Sequence, residues 1–307
     1  MIRSFLLGTG ATLAVAFGLG TPAAAQRVEP MRTINAPATQ QNGPALWKVE
    51  DEDTTIYLFG TIHILPANVQ WFRGNIARAL ETSDTLVTEI PEGAMDGAAM
   101  QATVMAKGTL PEGKSLRSFL NPEQRKQYEA ALAQLGAPAG AFDRYEPWLA
   151  GITLAVMPLI MNGYDPESGA ESVIEAAAPA DAARLALETA EHQLDFFDKL
   201  PPKSQVAFMM SSAKDLNRVV AMTDQMLNEW LEGDADSLAR VMNAEMTDPV
   251  LTAVLLHSRN ERWAEWIDAR MDEPGQVFIA VGAGHLAGEK SVQDYLAQRD
   301  ITVTRIQ

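Results

Sequence analysis

Two stretches of the chain place an imidazole where chemistry is usually done. Gly60-Thr61-Ile62-His63 closes the apolar run Ile56–Phe59, and Gly282-Ala283-Gly284-His285 closes the run Val277–Val281. Each run is β-prone and continuously apolar, which predicts a strand buried on both faces. A glycine at the end allows a tight turn or a close backbone approach, because it has no Cβ. The histidine then stands just past the carboxyl end of its strand, the edge where open α/β sheets build their sites. The chain has only 4 histidines, and two of them repeat this one context. His192 and His257 lie in helical segments and read as structural.

Two acidic residues share the same kind of position. Glu89 follows the strand-like Thr85-Leu86-Val87-Thr88, and Glu188 follows Arg184-Leu185-Ala186-Leu187. Two imidazoles and a carboxylate suit a divalent ion that keeps open positions for water. Such an ion acidifies water and polarises a carbonyl, and a further carboxylate can take the proton. The plainer alternative for each glutamate is a helix cap or a surface ion pair. Arg259-Asn260 precedes the second device on a helix. That pair suits a substrate carboxylate or an oxyanion, or else a helix-surface salt bridge. Cysteine is absent, so any metal site is limited to His, Asp and Glu, here Zn, Mn or Co.

Two nucleotide look-alikes fail on context. Gly282-Ala283-Gly284-His285-Leu286-Ala287 has dinucleotide-fingerprint spacing, but the one strand left before Gln307 offers no acidic residue for a ribose. A P-loop reading of Gly282–Ser291 is broken by Glu289, which separates Gly288 from Lys290.

The elements that must position these groups follow from pattern. Ala45–Val49 and Thr54–Gly60 flank the polar turn Glu50–Asp53, which predicts an opening hairpin. Strand, helix (about 73–82) and strand (85–90) form a βαβ unit with a parallel pair. From Glu92 to about Ala180, and again from Ser204 to about Glu245, the pattern is mostly helical. Asn121-Pro122 and Glu146-Pro147 mark helix starts. Met209, Met210, Met222 and Met226 recur at helical spacing and read as core packing. A helix over 288–298 and a last strand over 301–306 close the chain.

Residues 1–25 carry Arg3, an apolar run and Ala23-Ala24-Ala25, the pattern of a cleaved secretory signal. Residues 26–44 are rich in Pro, Ala, Thr, Gln and Asn and read as a disordered lead-in to a domain over 45–307. The expected location is therefore periplasmic or secreted, with no membrane span after cleavage. A formal charge of −16 argues against nucleic-acid partners. Oligomeric state is not legible.

Trp47–Glu89, with Leu58-Phe59-Gly60-Thr61-Ile62-His63 and Thr88-Glu89, resembles the opening of the TraB/GumN (TraB/PrgY/Tiki) family. Leu187–Leu194, Arg259-Asn260 and Val281–Leu286 continue the resemblance in order, toward its bacterial GumN-like branch. It implies an α/β fold with a mainly parallel central sheet of the EreA/ChaN-like type. A large helical insertion or cap is expected over about 92–180 and 200–270. The Tiki members are metal-dependent proteases whose two Gly-x-x-His motifs and a glutamate form the site. Those elements map onto His63, His285 and Glu89.

The resulting expectation is an exported, metal-dependent hydrolase acting on a peptide or other small substrate. His63 and His285 would be ligands, Glu89 ligand or base, and Glu188 a supporting or acid–base group. Arg259 and Asn260 would hold the substrate. Two rival readings stay open: a binding protein for a metal, haem or small ligand, and a metal-independent esterase-like hydrolase.

Overall fold

A computed structural model of the chain describes residues 43–243 and 248–307. The expected signal segment and most of the lead-in lie outside the described residues. Gly43 and Pro44 lie inside them and are buried, with the Pro44 carbonyl accepting from the Gln307 side chain.

The fold is α/β around a mixed six-stranded sheet. The first half runs β1 (Leu46–Glu50), β2 (Thr54–Thr61), β3 (Leu65–Pro66), α1 (Gly74–Glu81), β4 (Thr85–Thr88), α2 (Ala98–Gly108), α3 (Pro122–Gln134) and α4 (Pro147–Met161). It continues with β5 (Tyr164–Asp165), α5 (Ala170–Ala177), β6 (Ala183–Ala186), α6 (Ala190–Asp198), α7 (Pro202–Ala213), α8 (Leu216–Glu232) and α9 (Ala235–Asn243). Then come α10 (Pro249–Thr252), a π-helical turn (Ala253–His257), α11 (Ser258–Arg270), β7 (Gly275–Gly282), α12 (Val292–Ala297) and β8 (Thr304–Arg305).

Strand order is β6-β4-β7-β2-β1-β8. β6, β4, β7 and β2 pair in parallel, while β1 is antiparallel to both β2 and β8. The opening hairpin is present, in register from Leu46↔Phe59 to Glu50↔Thr55. Asp51 shapes its turn by accepting from the Thr54 amide at 2.8 Å.

Alternation along the strands splits the core. Ile56, Leu58, Val277, Ile279 and Val281 pack with Trp263 and Ile267 of α11 and Leu296 of α12. Phe59, Phe278 and Ala280 face the other way, onto Trp71, α1, α5 and α8. Each such fully buried large apolar side chain contributes about 1.5–3 kcal/mol. That two-sided burial is why these runs read as continuously apolar. A separate helical core joins α3, α4 and α7 and contains Met209 and Met210. The methionine stripe is core, as its spacing implies.

Three boundaries differ from the sequence pattern. The stretch from Ser204 to Gly233 is two helices, broken where Asp215 caps α8 by accepting from the Arg218 amide. The last strand shrinks to Thr304–Arg305, an edge pair against β1. The helix expected from Gly288 begins at Val292, where the Ser291 side chain caps it.

Candidate active site at the carboxyl edge of the sheet

Strand order explains how residues so distant in sequence meet. The four parallel strands stand side by side as β6, β4, β7 and β2, and they lead into Glu188, Glu89, His285 and His63 in that order. The two glycine turns touch: a Cβ on Gly60 would lie 3.0 Å from the Ala283 Cα. Gly60 is thus needed for close approach. The Gly60 carbonyl also accepts from Trp230 Nε1 of α8 at 2.7 Å, which ties the helical layer to the first device.

Arg259 is the hub of the site. It is fully buried on α11. Its Nε donates to Glu188 Oε1 at 2.9 Å, and its Nη2 donates to Glu188 Oε2 at 2.8 Å and to Glu89 Oε2 at 2.6 Å. Nη1 donates to the Leu255 carbonyl of the π-helical turn at 3.2 Å. The guanidinium lies over the Trp263 and Phe196 rings, with its carbon 4.7 and 5.3 Å from the centroids. Burial disfavours its charge, but the two carboxylates outweigh that and raise its pKa further. Gln193 of α6 donates to Glu89 Oε2 at 3.0 Å and to Glu188 Oε2 at 3.2 Å. Glu89 Oε1 accepts from the Gly282 amide at 2.7 Å.

His285 has a defined tautomer. Asn260 Nδ2 donates to the Lys290 carbonyl at 2.7 Å, so its Oδ1 is the atom turned to His285 Nδ1, 2.5 Å away. Nδ1 therefore carries the proton. Nε2 is the acceptor and lies 3.1 Å from Arg259 Nη1. Burial, then Arg259, then His63 hold this imidazole well below its ordinary pKa, so it is neutral at pH 7.

His63 is placed differently. Its Nδ1 pairs with Glu171 in the first turn of α5. The Ala170 amide donates to the Ile62 carbonyl at 2.9 Å. A Cβ on Gly169 would come within 2.3 Å of the His63 carbonyl oxygen, so only glycine lets α5 dock this closely. Burial pushes the Glu171 carboxyl up, but the charge of His63 and its hydrogen bond outweigh this and hold it below the usual range. His63, Glu89 and Gln193 line a cavity of about 450 Å³. Asn260, His285, Arg259 and Glu188 are buried beside it and do not line it.

All six expected site residues thus lie at one sheet edge. Arg259 is engaged by protein carboxylates, and Asn260 holds His285. His192 is exposed on α6, against Phe196, and His257 is half-buried. Glu171 and Gln193 were not singled out by pattern. Gln193 had a signal, because it lies one turn into a helix that starts directly after Glu188. Glu171 had only its first-turn position behind a glycine.

The implied divalent ion can be tested against these donors. Both imidazoles are tied back at Nδ1 to a side-chain oxygen, the arrangement that orients ligand histidines through Nε2. His285 Nε2 and Glu89 Oε1 are 3.9 Å apart, wider than the roughly 3.4 Å that two zinc–ligand bonds span at a tetrahedral angle. By donor chemistry the set fits. Among the described residues, however, no group of three or more His, Cys, Asp or Glu is gathered tightly enough to hold an ion.

The model of the TraB/PrgY/gumN family matches residues 45–305. The uncharacterized protein YbaP of Escherichia coli (strain K12) is 25% identical over 246 residues, covering 78% of this chain and 87% of that one. Metalloprotease TIKI1 of Danio rerio is 23% identical over 325 residues, covering 88% of this chain and 64% of that one. Metalloprotease TIKI2 of Danio rerio is 24% identical over 353 residues, covering 95% and 66%. No solved structure matches the chain.

Proposed function

The chain belongs to the TraB/PrgY/gumN family, and from that premise we propose that it is a metal-dependent hydrolase of peptide bonds, working in the cavity over His63 and Glu89. The observation that carries this reading is the pair of Nδ1-anchored imidazoles on adjacent strands, with Glu89 between Arg259 and His285. The distant likeness to two metalloproteases supports the reaction class. The sheet is read as the mainly parallel EreA/ChaN-like type, and the protein as exported to the periplasm or beyond. Among the described residues no helix is long and apolar enough to cross a membrane.

His63, His285 and Glu89 would hold the ion, Zn, Mn or Co. When bound, it acts as a Lewis acid on the scissile carbonyl and on water. The chain's own residues do the rest. Gln193, Arg259 and the Gly282 amide fix the Glu89 carboxylate by hydrogen bonds at both oxygens. Asn260 keeps His285 in the tautomer whose Nε2 has a lone pair. In hydrolysis, water oxygen bonds to the carbonyl carbon, the carbon–nitrogen bond breaks, and the water proton ends on the departing amine.

One observation favours a second, metal-independent reading. Arg259 already supplies positive charge to Glu89 and Glu188, and His63 backed by Glu171 forms a base–carboxylate pair of the kind that accepts a proton from water. Elemental analysis of the purified protein, with peptide-library cleavage before and after chelation, separates the two. The metal reading expects about one ion per chain, loss of cleavage on chelation, and recovery with added metal. Undiminished cleavage by the metal-free protein selects the second reading, and no cleavage in any condition ends both.

A further inference from the structure

The cavity wall is lopsided in charge. Six carboxylates line it, from Glu89, Glu92, Asp96, Glu167, Glu171 and Glu175, together with one imidazole and no lysine or arginine. Three of the six meet a basic partner: Arg259 for Glu89, His63 for Glu171 and Arg184 for Glu175. Among the described residues, no ion pair involves Glu92, Asp96 or Glu167. These three sit on the two loops that frame the cavity, one after β4 and one after β5.

Resting on the hydrolase reading above, we propose that this cavity selects a cationic group on its substrate, the ammonium or guanidinium of a basic peptide, and seats it against Glu92, Asp96 and Glu167. The cavity stands on His63 and Glu89; the three carboxylates set what joins them. A cleft lined by one sign of charge focuses its field and concentrates the opposite sign. Its volume of about 450 Å³ is that of an ordinary small-ligand pocket. Crowding among these carboxylates agrees with this. Desolvation at the wall, and then the Glu175 carboxylate alongside, raise the Glu92 pKa against a smaller opposing effect of Arg184. An entering cation relieves that like-charge contact, whereas an anionic substrate worsens it. The overall charge of −16 accounts for an acidic exterior. It does not by itself account for a cavity wall without a single lysine or arginine.

The ammonium has two sources in a peptide, the amino terminus and a lysine side chain, and the probes separate them. Three peptides of one length suffice: blocked at both ends with a central lysine; the same with that lysine acetylated; and lysine-free with a free amino terminus. Binding to the purified full chain is measured by calorimetry, and cleavage by mass spectrometry in the same samples. The cationic probes should bind about fivefold or more tighter than the acetylated one, as expected for a few solvent-exposed charge pairs. The preference should fade at high salt. It should also fall in the Glu92→Gln/Asp96→Asn/Glu167→Gln variant, whose three sites are exposed and do not hold the fold together. The better of the two cationic probes identifies the source. Equal binding of cationic and neutral probes, or no binding of either cationic probe, overturns the inference. A preference in binding without any cleavage leaves the inference standing and ends the hydrolase reading instead.

Discussion

The two Gly-x-x-His devices share a local sequence and lie on neighbouring parallel strands, yet their imidazoles live in different media. His285 is 1% exposed, packed on Trp263, and held by Asn260 and Arg259. His63 reaches the cavity wall, its side chain 10% exposed, and pairs with the Glu171 carboxylate, which is 26% exposed. The contrast teaches that a repeated motif fixes position at a sheet edge and leaves the environment to whatever docks there. Helix α11 seals one device, and α5 covers the other except where it meets the cavity. The buried device should therefore carry more of the stability than the one at the cavity wall, and both should carry chemistry.

The largest effect is expected at the buried hub. Arg259→Met leaves Glu89 and Glu188 buried beside each other, with only the half-exposed Arg262, 3.6 Å from Glu188, as counter-charge. Breaking a buried pair in this way costs about 3–5 kcal/mol. Urea unfolding should show that loss, and cleavage should disappear with it. A loss under about 1 kcal/mol would mean that water enters the centre and that the division between sealed and open devices is false.

Next comes the direct comparison of the two imidazoles. His285→Ala deletes a ring packed on Trp263 and strands the Asn260 oxygen, which predicts a loss of about 2–4 kcal/mol. His63→Ala should cost less, about 1–2 kcal/mol, because its ring is 10% exposed at the cavity wall and its partner Glu171 is 26% exposed. Both should abolish hydrolysis. Matched unfolding curves and cleavage rates check this, and equal stability losses would break the comparison.

The division was only half legible in the sequence. The four strands and their ends at Glu188, Glu89, His285 and His63 could be read, since apolar runs and terminal residues are local properties. The pairing of Arg259 with Glu89 and Glu188 could not be read, because it depends on how α11 docks across the edge. The role of Asn260 was missed for the same reason. Glu171 was hidden because its partner lies far back in the chain and meets it only through the close approach at Gly169. The break at Asp215 was also missed, because a side-chain cap interrupted an otherwise continuous helical pattern.

Acid should act through the buried device. His285 binds a proton less readily when folded than when unfolded, its folded pKa being lowered well below 6.5. The unfolded chain therefore gains a proton below about pH 6.5 that the folded chain refuses. Stability from this group is complete above that pH and falls as pH drops, by up to about 1.4 kcal/mol per unit. In chelator-treated protein, unfolding measured from pH 7 to 5 should show this slope, and His285→Gln should flatten it. A slope unchanged in His285→Gln would assign the acid sensitivity elsewhere.

The smallest stability effect belongs to the open device, and it isolates what Glu171 does. Glu171→Gln keeps shape and a hydrogen-bond acceptor while removing the charge. Its side chain is 26% exposed, although the oxygen that faces His63 is buried. Because the amide oxygen still accepts from the ring, the stability change should stay at about 1 kcal/mol. Hydrolysis should fall further than stability, by about 10–100-fold, because an uncharged partner orients the ring less firmly and makes it less basic. Asn260 performs the same service for His285 with a neutral oxygen from the start. Asn260→Ala should therefore lower both stability and turnover, whereas Glu171→Gln lowers mainly turnover. Glu171→Asp should restore part of the rate, since it returns the charge at a shorter reach. If Glu171→Gln turns over like the wild type, the pair is a surface contact. His63 would then be oriented by its strand alone, and the reach of α5 toward it would have no part in the chemistry.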